Sequence, residues 1–521
     1  MRMILAFWFL LLIPASVLAQ VVPTSSTYNA DIEWESVFTD GPAGKVNRGV
    51  SDSEGHIGLV FMPEDMTRVH RVHGETGALM WTRSIEGTAG FGIAVYEAQD
   101  GPDYIVTGGS GNSQERWMAR LDGADGSIVW SQSYDSPGGW GSYDGLRMAV
   151  EGTDGFLYGA GFVGGDEAGT IFVVYGGEGN VVKVDPADGA LIWSENVPGS
   201  EYVLAVAEAQ GTLYGATASW EEDLSMAAIG SNGAVLWQES LGGTADIIPY
   251  DLATDGVHLY YGGHRGRPGA GDPFDFSCIK ANLDGQVEWI GHYANPRGYS
   301  LSHIRNELYG VKADATGVYL FGGTGDESGY SEQIAPFESS DVWNGWMLKV
   351  NGEGDILHSA VFCQGGVNTA TEYGCLIDGG YVLFNDTDAG GDTEVGVMRI
   401  GDRCASSHLA GGPRPPAGRS HRGSSPSGHL HPLGCPGADP VVSRCGGVHR
   451  VACHRPGMGL LGGALGHEHR NPQVAPTLSL HFNAAHQTTH LNPKPHETLC
   501  FPLSAGVPAG GLHAARGWRF L

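Results

Sequence analysis

The sequence has little charge and few cysteines for its length. Only 17% of its 521 residues are charged, below the ~25% of ordinary soluble domains. Basic residues are the scarcer kind, with 29 Lys and Arg against 58 Asp and Glu, a net charge of −29. Because nucleic acids and anionic membranes are bound through basic patches, this balance excludes both as expected partners. Eight cysteines are too few for a scaffold built from disulfides.

Long apolar runs are also missing, except at the start of the chain. Arg2 precedes the apolar run Ile4 to Leu12, and Pro14 and small residues up to Ala19 follow it. We predict a secretory signal peptide over residues 1–19, cleaved after Ala19, and a short linker over 20–30. A membrane anchor is the alternative, but the run is shorter than the ~20 residues of a spanning helix. We therefore expect a secreted, extracellular protein, periplasmic if the host is Gram-negative.

The charge divides the sequence into two parts. Residues 1–401 carry 54 acidic and 18 basic side chains, whereas residues 402–521 carry 4 acidic and 11 basic ones, together with 13 of the 21 His. The second part is rich in Arg, His, Pro and Gly, so it cannot bury enough apolar surface to offset its chain entropy, and we predict disorder. The abrupt change also suggests an out-of-frame or mis-spliced end, which resequencing of the transcript would test.

Glycine is abundant, with 83 residues, and one glycine pattern repeats. A Gly stands four residues before a Trp, with a turn-forming residue before the Gly. The pairs are Gly77 and Trp81, Gly126 and Trp130, Gly189 and Trp193, Gly233 and Trp237, and Gly285 and Trp289, with Gly354 and His358 as a degenerate sixth copy. Such a Gly between two short apolar segments indicates a β-hairpin, because Gly reaches positive φ without steric cost.

The spacing of these units predicts the fold. Trp34, the five repeated Trp and His358 recur every 44 to 69 residues, which is typical of four-stranded propeller blades. Trp34 lies in a similar strand without a preceding hairpin, and the last unit, ending at Val397–Ile400, lacks a Trp strand. We predict an all-β, seven-bladed propeller of antiparallel blades over residues 31–401, its ring closed by the N-terminal strand. An open solenoid is the alternative.

The segments Val184–Trp193 and Gly74–Trp81 carry the pattern most clearly, and they resemble the tryptophan-docking repeat of the pyrroloquinoline-quinone-like propellers. The resemblance implies that each Trp packs between neighbouring blades. That superfamily includes quinoprotein dehydrogenases and non-enzymatic scaffolds. The enzymes usually have eight blades and an adjacent pair of cysteines. This sequence has no such pair and no match to their calcium and catalytic Asp motif, which disfavours the quinoprotein activity.

Two local patterns suggest sites. Asp386, Asp388 and Asp392 have the alternating oxygen ligands of a calcium loop, but no Glu follows at the calcium-loop spacing, so a solvated turn is favoured. Calcium is the one cofactor that the sequence suggests. A disulfide between Cys363 and Cys375 is expected as readily as two thiols in a secreted protein, and Cys278 would then be a buried thiol.

Insertions of varying length stand between the second and third strands of the predicted blades, and in a propeller these connections share one face. We predict partner binding there, through acidic and aromatic residues: Asp166, Glu167, Trp220, Glu221, Asp223, Asp272, Phe274, Asp326, Glu327, Tyr330 and Trp343. The alternative is that these carboxylates only solvate the loops.

The sequence favours a secreted, non-enzymatic, monomeric scaffold that binds a protein, a glycan or a divalent cation. The second hypothesis is an extracellular hydrolase or lyase, metal-assisted, with its site at the mouth of the central channel.

Overall fold

The computed structural model describes residues 16–17, 20–39, 45–63, 66–110, 115–134, 143–165, 177–219, 222–244, 246–266, 274–295, 304–326, 335–391 and 393–401. The calcium candidate Asp392, several predicted loop residues and the whole of 402–521 lie outside these ranges. Within them the chain forms thirty β-strands and two short 3-10 helices, Gln364–Gly366 and Asp388–Gly390. The all-β class that the turn-rich composition predicts is confirmed.

Twenty-eight strands form seven four-stranded antiparallel blades. The first strands of consecutive blades contact each other around the whole ring, so the first strand is the innermost and the fourth the outermost. In order within the blade, the strands of blade 1 are Lys45–Ser51, Ile57–Met62, Met66–Val72 and Leu79–Glu86, and those of blade 2 are Thr88–Ala98, Gly101–Ser110, Glu115–Leu121 and Ile128–Tyr134. The strands of blade 3 are Tyr143–Glu151, Leu157–Gly165, Glu178–Val184 and Leu191–Val197, and those of blade 4 are Tyr202–Ala209, Thr212–Ala218, Ser225–Ile229 and Val235–Ser240. The strands of blade 5 are Ile247–Thr254, His258–Gly266, Phe274–Asn282 and Val287–Tyr293. Those of blade 6 are Arg305–Asp314, Gly317–Gly325, Asn344–Val350 and Ile356–Phe362, and those of blade 7 are Thr369–Ile377, Gly380–Thr387, Glu394–Gly401 and Ile32–Phe38.

The ring closes through the two ends of the acidic part of the chain. The outer strand of blade 7 is the N-terminal strand Ile32–Phe38, which pairs antiparallel with Glu394–Gly401. Trp34 lies opposite Arg399, and Ser36 lies opposite Val397. The predicted closure by the Trp34 strand is therefore confirmed, as are the seven blades.

Each outer-strand Trp joins its blade to the next one. Trp81 of blade 1 donates from Nε1 to the carbonyl oxygen of Gly123 in blade 2, at 2.8 Å. Arg71, opposite Trp81 in the ladder, donates to the same oxygen at 2.7 Å. We call this pair of donations a shared-carbonyl contact. The same contact is formed by Trp34 and Arg399 on Gly74, Trp130 and Arg120 on Pro186, Trp193 and Lys183 on Ser231, and Trp289 and Lys280 on Gly352.

The repeated glycine belongs to the same contact. Gly126 has φ +70°, and a Cβ atom there would lie 2.6 Å from Cε3 of Trp81. The glycine is therefore needed twice, for a backbone conformation that L-residues rarely adopt and for space beneath the indole. Each hairpin thus makes two contacts. Its glycine packs against the Trp of the preceding blade, and its own Trp packs against the following blade.

His358 stands where the other complete outer strands have Trp, and the ring closure gives the reason. It belongs to blade 6, whose neighbour is blade 7. The third and fourth strands of blade 7 come from opposite ends of the chain, so no hairpin joins them. An indole at position 358 would have no hairpin glycine on which to dock.

The segment before the closing strand runs along the outer edges of two blades. Thr27–Tyr28 pairs parallel with Ala360–Val361 of blade 6, and Val21 forms a parallel bridge with Tyr293 of blade 5. Ser16–Val17 pairs parallel with Trp289–Ile290. We call residues 20–31 the N-terminal strap.

Of the two alternatives for Cys363 and Cys375, the structure has two buried thiols and no disulfide between them. Cys375 lies on the innermost strand of blade 7, in the apolar cluster between blades 7 and 1. Cys363 follows the outermost strand of blade 6, and its Sγ donates to the carbonyl oxygen of Val367 at 3.1 Å. The two residues thus occupy opposite radial ends of their blades. Cys278 is a buried thiol, as expected.

Candidate functional site

The innermost strand of every blade is interrupted by a bulge at the same place. The pairing register shifts around one extra residue in each of the seven strands, and these residues are Asn47, Phe91, Arg147, Leu204, Tyr250, Tyr309 and Glu372. A bulge bends its strand and redirects the side chains beside it. The ring of bulges therefore marks the part of the central channel where polar side chains enter an otherwise apolar inner wall.

Four polar side chains from four blades meet at this level. Nη1 of Arg48 in blade 1 lies 2.9 Å from Oδ1 of Asp251 in blade 5 and 3.0 Å from the hydroxyl of Tyr373 in blade 7. Nζ of Lys312 in blade 6 lies 3.2 Å from the other oxygen of Asp251, and it donates to the Tyr373 hydroxyl. Since non-adjacent blades approach each other only near the axis, this central cluster crosses the channel.

Asp251 is saturated by its neighbours. Its carboxylate accepts from Arg48, from Lys312, from Tyr373 at 2.8 Å and from the backbone N–H of Val311 at 2.9 Å. Burial alone would raise the pKa of Asp251, but Lys312 and Arg48 lower it below the usual range, with help from the hydrogen bonds. A carboxylate so acidic and so fully bonded is a structural brace and a poor proton acceptor.

Arg147 adds a third cation near the cluster. It is buried in the inner wall of blade 3. Burial, and then the positive charge of Arg48, lower the pKa of Arg147 to about 10. The guanidinium is still charged at neutral pH, so this level of the channel holds Arg48, Arg147 and Lys312 around a single fully buried carboxylate.

An aromatic group lies at the channel mouth, on the side where the second-to-third strand connections emerge. We call that side the long-loop face. The ring of His264 is 5.0 Å from Tyr250, 5.0 Å from Phe274 and 5.6 Å from Tyr309. The Tyr309 hydroxyl donates to Glu307 at 2.7 Å. Burial, chiefly, lowers the pKa of His264 to about 3, so this imidazole is neutral at physiological pH.

The predicted calcium ligands are engaged in protein contacts. Oδ1 of Asp386 accepts from the backbone N–H of Val46 in blade 1 at 3.0 Å. The two oxygens of Asp388 accept from Asn368 at 2.9 Å and from Thr393 at 3.2 Å. Asp392 lies outside the described residues. Among the residues that are described, no three His, Cys, Asp or Glu side chains group as metal ligands would.

The predicted insertions fall between the second and third strands of blades 3, 5 and 6, and the described ends of those strands lie on the long-loop face. Of the predicted partner-binding residues it describes four. The carboxylate of Asp223 accepts from the Thr244 N–H at 2.8 Å. Asp326 is buried, and its backbone N–H donates to Ser340 across the insertion. Phe274 packs on His264, and the other predicted residues lie outside the described ranges: Asp166, Glu167, Trp220, Glu221, Asp272, Glu327 and Tyr330.

Trp343 has a structural role at the end of its insertion. A Cβ atom on Gly325 would lie 2.7 Å from its indole, so the ring covers the neighbouring strand closely. Its backbone N–H and carbonyl bond to Asn368 and Thr369 of blade 7. This insertion therefore ties blade 6 to blade 7 on the long-loop face.

The sequence does not predict the central cluster. Arg48, Asp251, Lys312 and Tyr373 share no motif and come from four separate units of the repeat. The available signal is a charged residue inside an apolar inner strand, which is costly unless a partner exists. That signal indicates a buried polar network without showing which residues pair.

Comparisons with known proteins agree with this architecture. The PQQ_2 family model, described as outer membrane protein assembly factor BamB, matches residues 114–303, which include blades 3, 4 and 5. No curated protein sequence matches the chain.

Two solved structures resemble the chain at low identity. Hydrazine synthase of Kuenenia stuttgartiensis has 12% identity and a TM-score of 0.46, over 70% of this chain and 97% of that one. The WD40 β-propeller domain of Doa1 has 9% identity and a TM-score of 0.43, over 72% and 97%. Within the described ranges, no helix has the length and apolar character that a bilayer-crossing segment needs. By its seven four-stranded blades the chain is a β-propeller, and over residues 114–303 it is similar to the PQQ_2 family.

Proposed function

We propose that this protein is a secreted, non-enzymatic propeller that binds a protein partner through its long-loop face. The observation that carries the proposal is the central cluster. In it the fully buried carboxylate accepts four hydrogen bonds and braces blades 1, 5, 6 and 7 together. A channel closed by such a brace serves as a rigid support, and propeller loops on a rigid support commonly bind partners. The signal-peptide pattern and the match to an assembly-factor family support the secreted, non-catalytic part.

The channel mouth indicates the chemistry of the partner. Tyr250, Tyr309 and Phe274 offer aromatic rings. Glu307 lies on the same inner strand as Tyr309, and Glu372 lies on the inner strand of blade 7. Arg305 already stacks over Phe274, with Cζ 5.1 Å from the ring centroid. Aromatic faces beside carboxylates attract guanidinium and ammonium groups. We expect the partner to present Arg or Lys side chains to this mouth.

The test uses a fluorescent hexa-arginine peptide as the probe, with hexa-glutamate as the reference. Binding is measured by fluorescence anisotropy on the wild type and on the double variant Glu307→Gln, Glu372→Gln. Loss of two partly exposed charges should weaken hexa-arginine binding by roughly threefold to tenfold. The matched control is Glu151→Gln with Glu208→Gln, at the opposite ends of the inner strands of blades 3 and 4. Equal weakening in both double variants would show a general attraction to an acidic protein and would refute the proposed site.

A further inference from the structure

The N-terminal strap is fixed to blade 5 immediately after Gln20. The backbone N–H of Val21 donates to the carbonyl oxygen of His292 at 2.8 Å, and the carbonyl oxygen of Val21 accepts from the N–H of Ala294 at 3.0 Å. These bonds belong to the parallel bridge between Val21 and Tyr293. The Cα atom of Gln20 is therefore held beside the outer strand of blade 5.

The side chain of Gln20 reaches a buried carboxylate of the same blade. Its Nε2 atom donates to Oδ2 of Asp275 at 2.8 Å, and Asp275 is 0% exposed. Arg265 lies opposite Asp275 in the ladder between the second and third strands, and it is also 3.9 Å from the carboxylate of Asp246. Two carboxylates thus face one guanidinium. Since a carboxylate bonds more strongly to a cationic donor than to a neutral amide, a second cation would suit Asp275 better than the amide does.

The predicted cleavage site adjoins this contact. In the part of the chain that the structure describes, the backbone N–H of Gln20 has no hydrogen-bond partner. Cleavage after Ala19 would turn this nitrogen into a positively charged α-ammonium group. The α-nitrogen of a glutamine lies at most about 6 Å from its own Nε2 atom, which already touches Asp275. The new charge therefore forms close to Asp275, and rotation about the Cα–C bond of Gln20 can bring the two groups together.

Cleavage would also remove an anchor of the strap. In the uncleaved chain Ser16–Val17 pairs with Trp289–Ile290 on the same edge, and this pairing is lost with residues 1–19. The strap then begins on blade 5 with a single bridged residue, Val21. Chain ends fray unless they are tied to the fold, so an ion pair at the new terminus would replace the lost contact.

We infer that Asp275 binds the α-ammonium group that cleavage after Ala19 creates on Gln20, and thereby ties the processed N-terminus to blade 5. Capture of a chain-terminal amine is a recurring mode of peptide recognition. The strap continues from this point to Thr27–Tyr28 on blade 6, so the contact fixes one end of a tie across two outer edges. The inference rests on the secretion that is part of the proposed function, and it is independent of what the long-loop face binds.

The contact has a chemical consequence for Gln20. An N-terminal glutamine can cyclise to pyroglutamate: the α-nitrogen attacks Cδ, the N–Cδ bond forms, the Cδ–Nε2 bond breaks, and ammonia leaves with a proton from the amine. The attack requires the uncharged amine, whereas a neighbouring carboxylate favours the ammonium form. Binding to Asp275 should therefore slow the cyclisation of Gln20.

The first test follows this reaction in the full chain, prepared behind a leader that a protease removes so that the protein begins at Gln20. Mass spectrometry measures the loss of ammonia at neutral pH. We expect cyclisation to be at least about tenfold faster in Asp275→Asn than in the wild type, because loss of the ion pair increases the uncharged fraction of the amine. Asp246→Asn is the control, since it removes the other, exposed carboxylate beside Arg265, and it should leave the rate unchanged. Equal rates in the wild type and Asp275→Asn, or equal acceleration in both variants, would overturn the inference.

A second measurement separates the ammonium group from the glutamine side chain. Hydrogen exchange at Val21 and Ala294 reports release of the strap, because both amides donate across this edge. In proteins that begin at Gln20, Asp275→Asn should speed this exchange at least about tenfold. In proteins that begin at Ala19 the α-nitrogen of Gln20 stays an uncharged amide, and the same substitution should speed exchange less than about threefold. Equal ratios in the two series would show that Asp275 binds only the side-chain amide, which would overturn the inference.

The N-terminal sequence of the secreted protein tests the cleavage by itself. A first residue other than Gln20 would overturn the inference and would leave the long-loop face untouched. Hexa-arginine binding that is unchanged in the Glu307→Gln, Glu372→Gln protein would refute the proposed partner site and would leave both measurements on Gln20 as they are. The inference and the partner site therefore fail separately.

Discussion

Ala228 lies directly opposite Trp237 in the ladder between the third and fourth strands of blade 4. Every other blade has Lys or Arg at this register position, namely Arg71, Arg120, Lys183, Lys280, Lys349 and Arg399. In five of these six blades the cation forms a shared-carbonyl contact with the next blade. The interface between blades 4 and 5 is therefore the one full hairpin interface without this cation.

A lysine at position 228 should restore the contact. The equivalent acceptor is the Leu283 carbonyl, two residues before Gly285, as Ser231 is before Gly233. We expect Ala228→Lys to raise the free energy of unfolding by about 1 kcal/mol, measured by urea denaturation. Ala228→Met is the control, because it adds a chain of similar length without the donor. Equal gains in both variants would assign the effect to packing.

The docking glycines should be more sensitive than other glycines of the same conformation. Gly126 and Gly155 have φ of +70° and +78°, but a Cβ atom on Gly155 would meet nothing within 4 Å. Alanine costs about 1–2 kcal/mol for the backbone at either position. At Gly126 the clash with Trp81 should add about 1–3 kcal/mol. Similar unfolding midpoints for Gly126→Ala and Gly155→Ala would contradict the double role of the hairpin glycine.

Removing the charge at the centre of the channel should be costly. Asp251→Asn leaves the buried Arg48 and the partly buried Lys312 without their counter-ion, and we expect a loss of about 3–5 kcal/mol of stability. The triple variant Asp251→Leu, Arg48→Met, Lys312→Met removes all three charges and should recover much of that loss. Calorimetric midpoints of the two variants make the comparison. A triple variant as unstable as Asp251→Asn would show that volume, and not unpaired charge, sets the cost.

Two buried histidines should make the protein sensitive to mild acid. Burial, chiefly, lowers the pKa of His264 to about 3 and that of His292 to about 4. In the unfolded chain both titrate near 6.5, so between pH 6.5 and about 4 the unfolded state binds protons that the folded state does not. Stability should therefore fall as the pH is lowered from 7 to 5, by up to about 1.4 kcal/mol per pH unit for His264.

Urea denaturation at pH 7, 6 and 5 measures this dependence. His264→Phe keeps an aromatic ring in the stack without a titrating group, so its stability should fall less steeply. An identical slope in His264→Phe and the wild type would assign the acid sensitivity to other groups.

Much of the ring follows from local sequence, and the centre does not. The hairpin glycine and its Trp lie four residues apart, so each copy of this pattern predicts the third and fourth strands of its blade. Trp34 without a hairpin, and Val397–Ile400 without a Trp, together indicate the closing strand. The partners of Asp251 are at least 60 residues away along the chain, in strands whose bulges have no sequence signature. Such a network depends on the relative rotation of whole blades, which a local pattern does not encode.

The separation of Cys363 and Cys375, which the sequence left open as a disulfide or two thiols, has a physical reason as well. Cys363 and Cys375 are twelve residues apart, which is close enough for a loop disulfide. They flank a blade boundary, however, and the chain crosses from the outermost strand of one sheet to the innermost strand of the next. At a blade boundary, two residues that are close in the sequence can therefore lie far apart along the radius of the propeller.

The closing pair has a consequence for synthesis. Residues 32–38 are made early, yet their partner strand, 394–401, leaves the ribosome last of the acidic part. For most of translation the strand Ile32–Phe38 has no sheet to pair with, and the blades that have already formed belong to an open ring. Such long-range pairing forms slowly. In a nascent chain truncated before residue 394, the strand Ile32–Phe38 and the unfinished sheet of blade 7 would both keep unpaired edges, which favour aggregation. The ring of this protein can therefore close only after residues 394–401 have been made.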